Sequence, residues 1–141
     1  MTIEVVNVED LSEIIKMVDE EIARCKSQLG EYLRRFDEVR ISAEKVKKLQ
    51  EILGRALGRK PGEESGRVVN LGDVSFIIDY RADEELEVLE EVVRYYQNRV
   101  LKLQKVREQL KMFENLGEEG AGIKAIVLTN DGIPVRVLLK L

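Results

Sequence analysis

A 3-4 repeat of apolar residues runs from Leu11 to Leu57 and leaves this chain few ways to fold. With Ile15 at position a of a heptad, the same position recurs at Ile22, Leu29, Phe36, Ala43, Gln50 and Leu57. Position d falls on Leu11, Val18, Cys25, Tyr32, Val39, Val46 and Leu53. Of these fourteen positions only Gln50 is strongly polar. A stripe this narrow, kept in register this long, is a coiled-coil seam rather than the broader face of an ordinary amphipathic helix. It predicts one long helix over residues 9–57. Asp10 with Glu13 three residues on resembles a capping arrangement at its start. Gly58 and Pro61 stop it.

A second helix is predicted over residues 83–116. Ala82, Leu86, Leu89, Val93, Tyr96, Val100 and Leu103 keep the same spacing. Arg107 then breaks the register, and the stripe moves to Val106, Leu110 and Phe113. Such a three-residue shift is a stammer, which overwinds a supercoil locally. At 1.5 Å per residue the two helices would be about 70 and about 50 Å long. Neither can bury its stripe alone, so an antiparallel two-helix coiled-coil hairpin is the simplest solution.

Two stretches of β character complete the pattern. Between the helices, residues 58–67 (GRKPGEESGR) form a polar loop, and residues 68–80 form a β-hairpin. Its arms, Val68–Leu71 and Val74–Ile78, flank Gly72-Asp73, a two-residue loop suited to a type II′ turn. Val74, Phe76, Ile78 and Tyr80 fall on one face by alternation. A lone two-stranded hairpin is marginal in water, so its apolar face needs a partner. Val69, Leu71, Val74, Phe76 and Ile78 are therefore the candidate oligomerisation residues. Residues 117–141 read as a terminal hairpin, with strands 124–129 and 135–139 around Asn130-Asp131-Gly132. Pro134 places part of it at a sheet edge. Antiparallel helices would bring this tail back to the N-terminus, where Ile3–Val8 can join it as a third strand. The predicted fold is α+β, mainly α, in a single domain over residues 1–141.

Composition removes several functional classes. The 141 residues include no His and no Trp, so no His-ligated metal site and no Ser-His or Cys-His pair can be assembled within this chain. Net charge is −4 with a pI near 5.1, and the bases are interspersed with acids, which argues against nucleic-acid binding. Cys25 is the only cysteine and sits at a d position, as a buried, inert thiol would; its solitude fits a reducing compartment. The first residues lack a basic, then apolar, leader, and no apolar run reaches the roughly 18 residues a membrane span needs. A cytoplasmic chain with no membrane association is expected. Gly54-Arg55-Ala56-Leu57-Gly58-Arg59-Lys60 has a superficial likeness to a phosphate-binding loop, but its spacing is wrong and Pro61 stands where Ser or Thr is required. The pairs Glu84-Glu85, Glu90-Glu91 and Glu118-Glu119 are solvated charges without a cleft. No enzyme, cofactor or metal is expected.

The run Val68-Val69-Asn70-Leu71-Gly72-Asp73-Val74-Ser75-Phe76-Ile77-Ile78, followed by Asp83-Glu84-Glu85-Leu86-Glu87-Val88-Leu89-Glu90, resembles a prefoldin subunit: a strand, a Leu-Gly turn and a strand leading into an acidic, Leu-rich helix start. The likeness covers residues 9–116. A single hairpin between the helices is closer to the family's β-type subunits than to its two-hairpin α-type. The resemblance implies an ATP-independent holdase chaperone. It implies unfolded client proteins as partners, and a homo- or hetero-oligomer with other prefoldin-like subunits. The central hairpins would assemble the body, and the first turns of helix one with the last turns of helix two would hold clients. The apolar residues placed there are Ile14, Met17, Met112, Phe113 and Leu116, the candidate client-binding set. Two features depart from the family: a long loop at residues 58–67, and the tail at 117–141, which would sit at the client-holding tip. The alternative is a coiled-coil scaffold that docks a specific partner through the terminal hairpin. Residues 126–136 (IVLTNDGIPVR) also resemble the strand-turn-strand of roadblock-type dimerisation domains, though the rest of that fold is missing.

Overall fold

A computed structural model describes residues 2–57, 68–77, 80–113 and 122–140. It is mainly helical: β1 (Ile3–Val8), α1 (Ser12–Leu57), β2 (Val68–Asn70), β3 (Ser75–Ile77), α2 (Ala82–Gln109), β4 (Ala125–Asn130) and β5 (Ile133–Leu139) follow in that order. The predicted loop at 58–67 and the segment 117–121 lie outside the described residues. The chain falls into two compact units, one of Met1–Gly30 with Arg94–Leu141 and one of Glu31–Val93.

In the first unit the heptad register is visible as burial. Leu11, Ile15, Val18 and Cys25 are buried, and Ile22 and Leu29 are half-buried. On α2, Val100 and Leu103 are buried and Tyr96 is half-buried. Val18, Cys25, Val100 and Leu103 form one core cluster, bordered by Ile22, Tyr96 and Val106. The two helical segments run in opposite senses, since Asp19 pairs with Arg107 (2.8 Å) and Glu21 with Arg99 (3.0 Å). Val106, Arg107, Leu110 and Phe113 are all half-buried, and Arg107 makes the ion pair with Asp19.

Capping is built at both helix starts. The Ser12 N–H and hydroxyl both donate to Asp10 Oδ1, at 2.9 and 3.0 Å, so Asp10 is the N-cap. Glu13 reaches back one residue further than a capping box does, accepting from the Glu9 N–H at 3.3 Å. At α2, Glu84 accepts from the Arg81 N–H (3.0 Å), and the acidic first turn Asp83-Glu84-Glu85 faces the positive end of the helix dipole.

The helix predicted to reach residue 116 ends earlier. α2 stops at Gln109, and Lys111–Phe113 form a 3-10 turn in which the Phe113 N–H donates to the Leu110 carbonyl at 2.9 Å. This tighter winding brings Leu110 and Phe113 together against the sheet core, to which both are packed.

β1, β4 and β5 form one antiparallel sheet in the order β1-β4-β5, so Ile3–Val8 does join the terminal hairpin. The strand limits differ from those predicted: β4 includes Asn130, and β5 begins at Ile133. The loop is thus only Asp131-Gly132, both with positive φ (53° and 75°), the backbone of a type I′ turn. Leu128 pairs with Arg136 but Thr129 with Pro134, leaving Val135 as an extra residue in a bulge on the edge strand beside the proline. One sheet face, carrying Val8, Ala125 and Val127, packs with Leu11 and Ile14 of α1.

In the second unit Leu89 and Val93 are buried, and Tyr32, Phe36, Val39, Ala43 and Leu86 are half-buried at their heptad positions. Arg35 reaches Glu85 at 3.5 Å. β2 and β3 pair antiparallel, Val68 with Ile77, Val69 with Phe76 and Asn70 with Ser75.

Candidate interaction surfaces

The hairpin β2–β3 is held by its turn. The Leu71 N–H donates to the Val74 carbonyl at 2.9 Å, and Gly72 has φ 108°, the left-handed backbone its loop position requires. The Ser75 hydroxyl donates to Asn70 Oδ1 across the strands. Because Val69 faces Phe76 and Leu71 faces Val74, these four candidate oligomerisation residues share one face. All four are exposed, from 42 % at Val69 to 69 % at Leu71. Val68 and Ile77, on the other face, are exposed too. Ile78 lies outside the described residues. Sequence reasoning missed a further feature of the same unit. Along α1 the seam is half-buried only as far as Ala43, after which Val46, Leu49, Ile52 and Leu53 are exposed. The heptad pattern marks these residues as apolar but carries no signal that this chain leaves them open.

The five residues placed at the client-holding tip are distributed differently from the expectation of an exposed cluster. Ile14 is a core residue at 3 % exposure, packed under the sheet with Val8, Ala125 and Val127. Met17 and Phe113 are half-buried against the same cluster. Only Met112 is open, at 75 %, and Leu116 lies outside the described residues. The reason is the sheet itself: the three strands need a cover for their inner face, and these side chains supply it. Ile14 and Phe113 nevertheless line an apolar cavity of about 220 Å³ with Leu11, Ile15, Leu110, Val137 and Leu139.

A polar cleft of about 640 Å³ lies on the first unit, with Glu21, Arg24, Arg99, Tyr95, Asp131 and Gly132 in its walls. Glu21 Oε1 accepts from Arg99 Nη2 at 3.0 Å and from Arg24 Nη2. Burial pushes the Glu21 carboxyl up, but the hydrogen bonds and charges of Arg24 and Arg99 outweigh it and hold the pKa below the ordinary value. For Arg99, 9 % exposed, burial opposes the charge and Glu21 restores it, so its pKa lies above the usual arginine value. The Asp131-Gly132 turn closes over this pair: the Asp131 N–H donates to the Thr2 carbonyl (2.7 Å), and the Thr2 N–H donates to Asp131 Oδ1 (2.9 Å). A side chain at residue 132 would meet the Arg99 guanidinium at 2.8 Å. The cluster joins turn, strand and helices and is a structural lock. Cys25, its one thiol, is buried and 3.8 Å from Glu21.

Among the described residues, no group of three or more His, Cys, Asp or Glu side chains is placed to hold a metal ion. No described helix is long and apolar enough to cross a membrane. No family model, no curated protein and no solved structure matches the chain.

Proposed function

We propose that the chain is a prefoldin-like subunit: an antiparallel coiled-coil arm that assembles through β2–β3 and holds non-native proteins without ATP. The observation that carries this reading is the hairpin, whose apolar side chains are exposed on both faces. Two isolated strands do not pay for their own ordering in water, and open apolar strands aggregate unless paired. Assembly with other subunits removes both problems, and the exposed end of α1 in the same unit adds apolar surface that a partner can cover. Holding is supported at the other unit by the apolar cavity beside Ile14 and Phe113, which is of a size to take a client side chain. Several arms in one particle raise the effective concentration of such weak sites.

A second reading, an adaptor that docks one partner through the terminal sheet, is favoured by one specific observation. The strands cover Ile14, Met17 and Phe113 and present an outer face of their own. Light scattering of a heat-unfolding client, without nucleotide, separates the two. Suppression near stoichiometric ratio by the wild type, lost in the Val69→Ser/Phe76→Ser variant, is expected of a holdase. A wild type that forms oligomers but leaves client aggregation unchanged would refute holding and favour the adaptor.

A further inference from the structure

The outer face of the terminal sheet has a chemistry that points to one kind of occupant. By register and alternation it carries Ile3, Val5 and Asn7 of β1, Ile126 and Leu128 of β4, and Leu138 of β5. Ile3, Val5, Ile126 and Leu138 are 44–67 % exposed. They sit in two adjacent cross-strand rows, Val5–Leu128–Arg136 and Asn7–Ile126–Leu138, with Ile3 beside Asn130 in the next. The charges around this apolar centre are mainly basic, three bases against one carboxylate. Arg136 closes one row, and Lys124 and Lys140 are bridged across the strand end by the Lys140 N–H donating to the Lys124 carbonyl (3.4 Å). Glu9, exposed and 3.8 Å from Lys124, is the only carboxylate paired with any of these three bases among the described residues.

We propose that this face docks an acidic amphipathic helix of a partner protein, about 13 residues long. The length follows from six-residue strands at about 3.3 Å per residue, spanned by a helix rising 1.5 Å per residue. The apolar stripe of the helix would lie over Ile126, Leu128, Leu138 and Val5, and its carboxylates would meet Arg136 and Lys140, Lys124 already standing beside Glu9. An anionic bilayer is disfavoured because the chain as a whole carries −4. That same charge makes the selectivity informative, since the whole molecule attracts bases while this face attracts acids. The inference rests on the adaptor reading for its location and adds the partner's chemistry.

The test is fluorescence anisotropy on the full chain with three labelled helical peptides, alike in their leucine stripe but bearing Glu, Gln or Lys elsewhere. Saturable binding of the Glu peptide is expected, weakening with added salt. Binding of the Lys peptide should be at least about tenfold weaker. Ile126→Ser/Leu138→Ser and Arg136→Glu/Lys140→Glu should each abolish it with unchanged circular dichroism. Equal binding of the Gln or Lys peptide would overturn the acidic partner while leaving a docking face. Failure of all three peptides to bind would overturn both the inference and the adaptor reading. Binding unaffected by either double variant would place the peptide elsewhere and overturn the assignment of this face.

Discussion

Gly132 and Glu21 show how much single residues decide in this chain. Gly132 has no room for a side chain beside Arg99 and sits at φ 75°, where a Cβ is strained. Gly132→Ala should lower unfolding free energy by about 1–3 kcal/mol, read from urea denaturation. Gly72→Ala shares the backbone penalty but meets nothing within 4 Å, so it should cost less. Glu21→Gln leaves the buried Arg99 guanidinium short of its counter-charge and should cost about 1–3 kcal/mol, less than a fully buried pair because Glu21 keeps some solvent contact. The Glu21 pKa is depressed in the folded state. Its stabilising share is therefore complete above the unfolded carboxylate value and is lost as pH falls through the folded one. Melting temperature of the wild type should fall on acidification below about pH 4.5, and the Glu21→Gln variant should show a shallower fall. Equal acid limbs would show that this pair does not couple to folding.

At the scale of elements, the most legible part of the fold was its helical register. Every residue assigned to the seam from Leu11 to Ala43 is buried or half-buried. The Asp-Gly signal found the terminal hairpin, and proximity of the chain ends supplied β1. Three things were not legible. The stop of α2 at Gln109 depends on Leu110 and Phe113 turning into a sheet core distant in sequence. The bulge at Val135 depends on how Pro134 meets Thr129. Ile14 read as a surface anchor because it lies off the seam, yet the sheet buries it. Local periodicity reports one neighbour, and these residues have two. Leu103, fully buried between the helices, should therefore be the costlier truncation: Leu103→Ala is expected to lose about 2–5 kcal/mol by urea denaturation. Met112→Ala, at an exposed site, should stay within about 0.5 kcal/mol.

For the whole molecule, each unit has buried seam residues and an exposed apolar surface of its own. The unit of Met1–Gly30 with Arg94–Leu141 contains both core clusters and the ion-pair lock. The unit of Glu31–Val93 carries the exposed hairpin and the open end of α1. Assembly through β2–β3 is the proposal this exposed hairpin supports, and holding is its proposed consequence. The measurement that tests it most directly is sedimentation equilibrium of the full chain beside its Val69→Ser/Phe76→Ser variant, across protein concentration. The wild type should sediment as an oligomer, and the variant as a monomer with the same helical content. A variant that keeps the wild-type oligomeric mass, or a wild type that remains monomeric at every concentration, would contradict self-assembly through β2–β3.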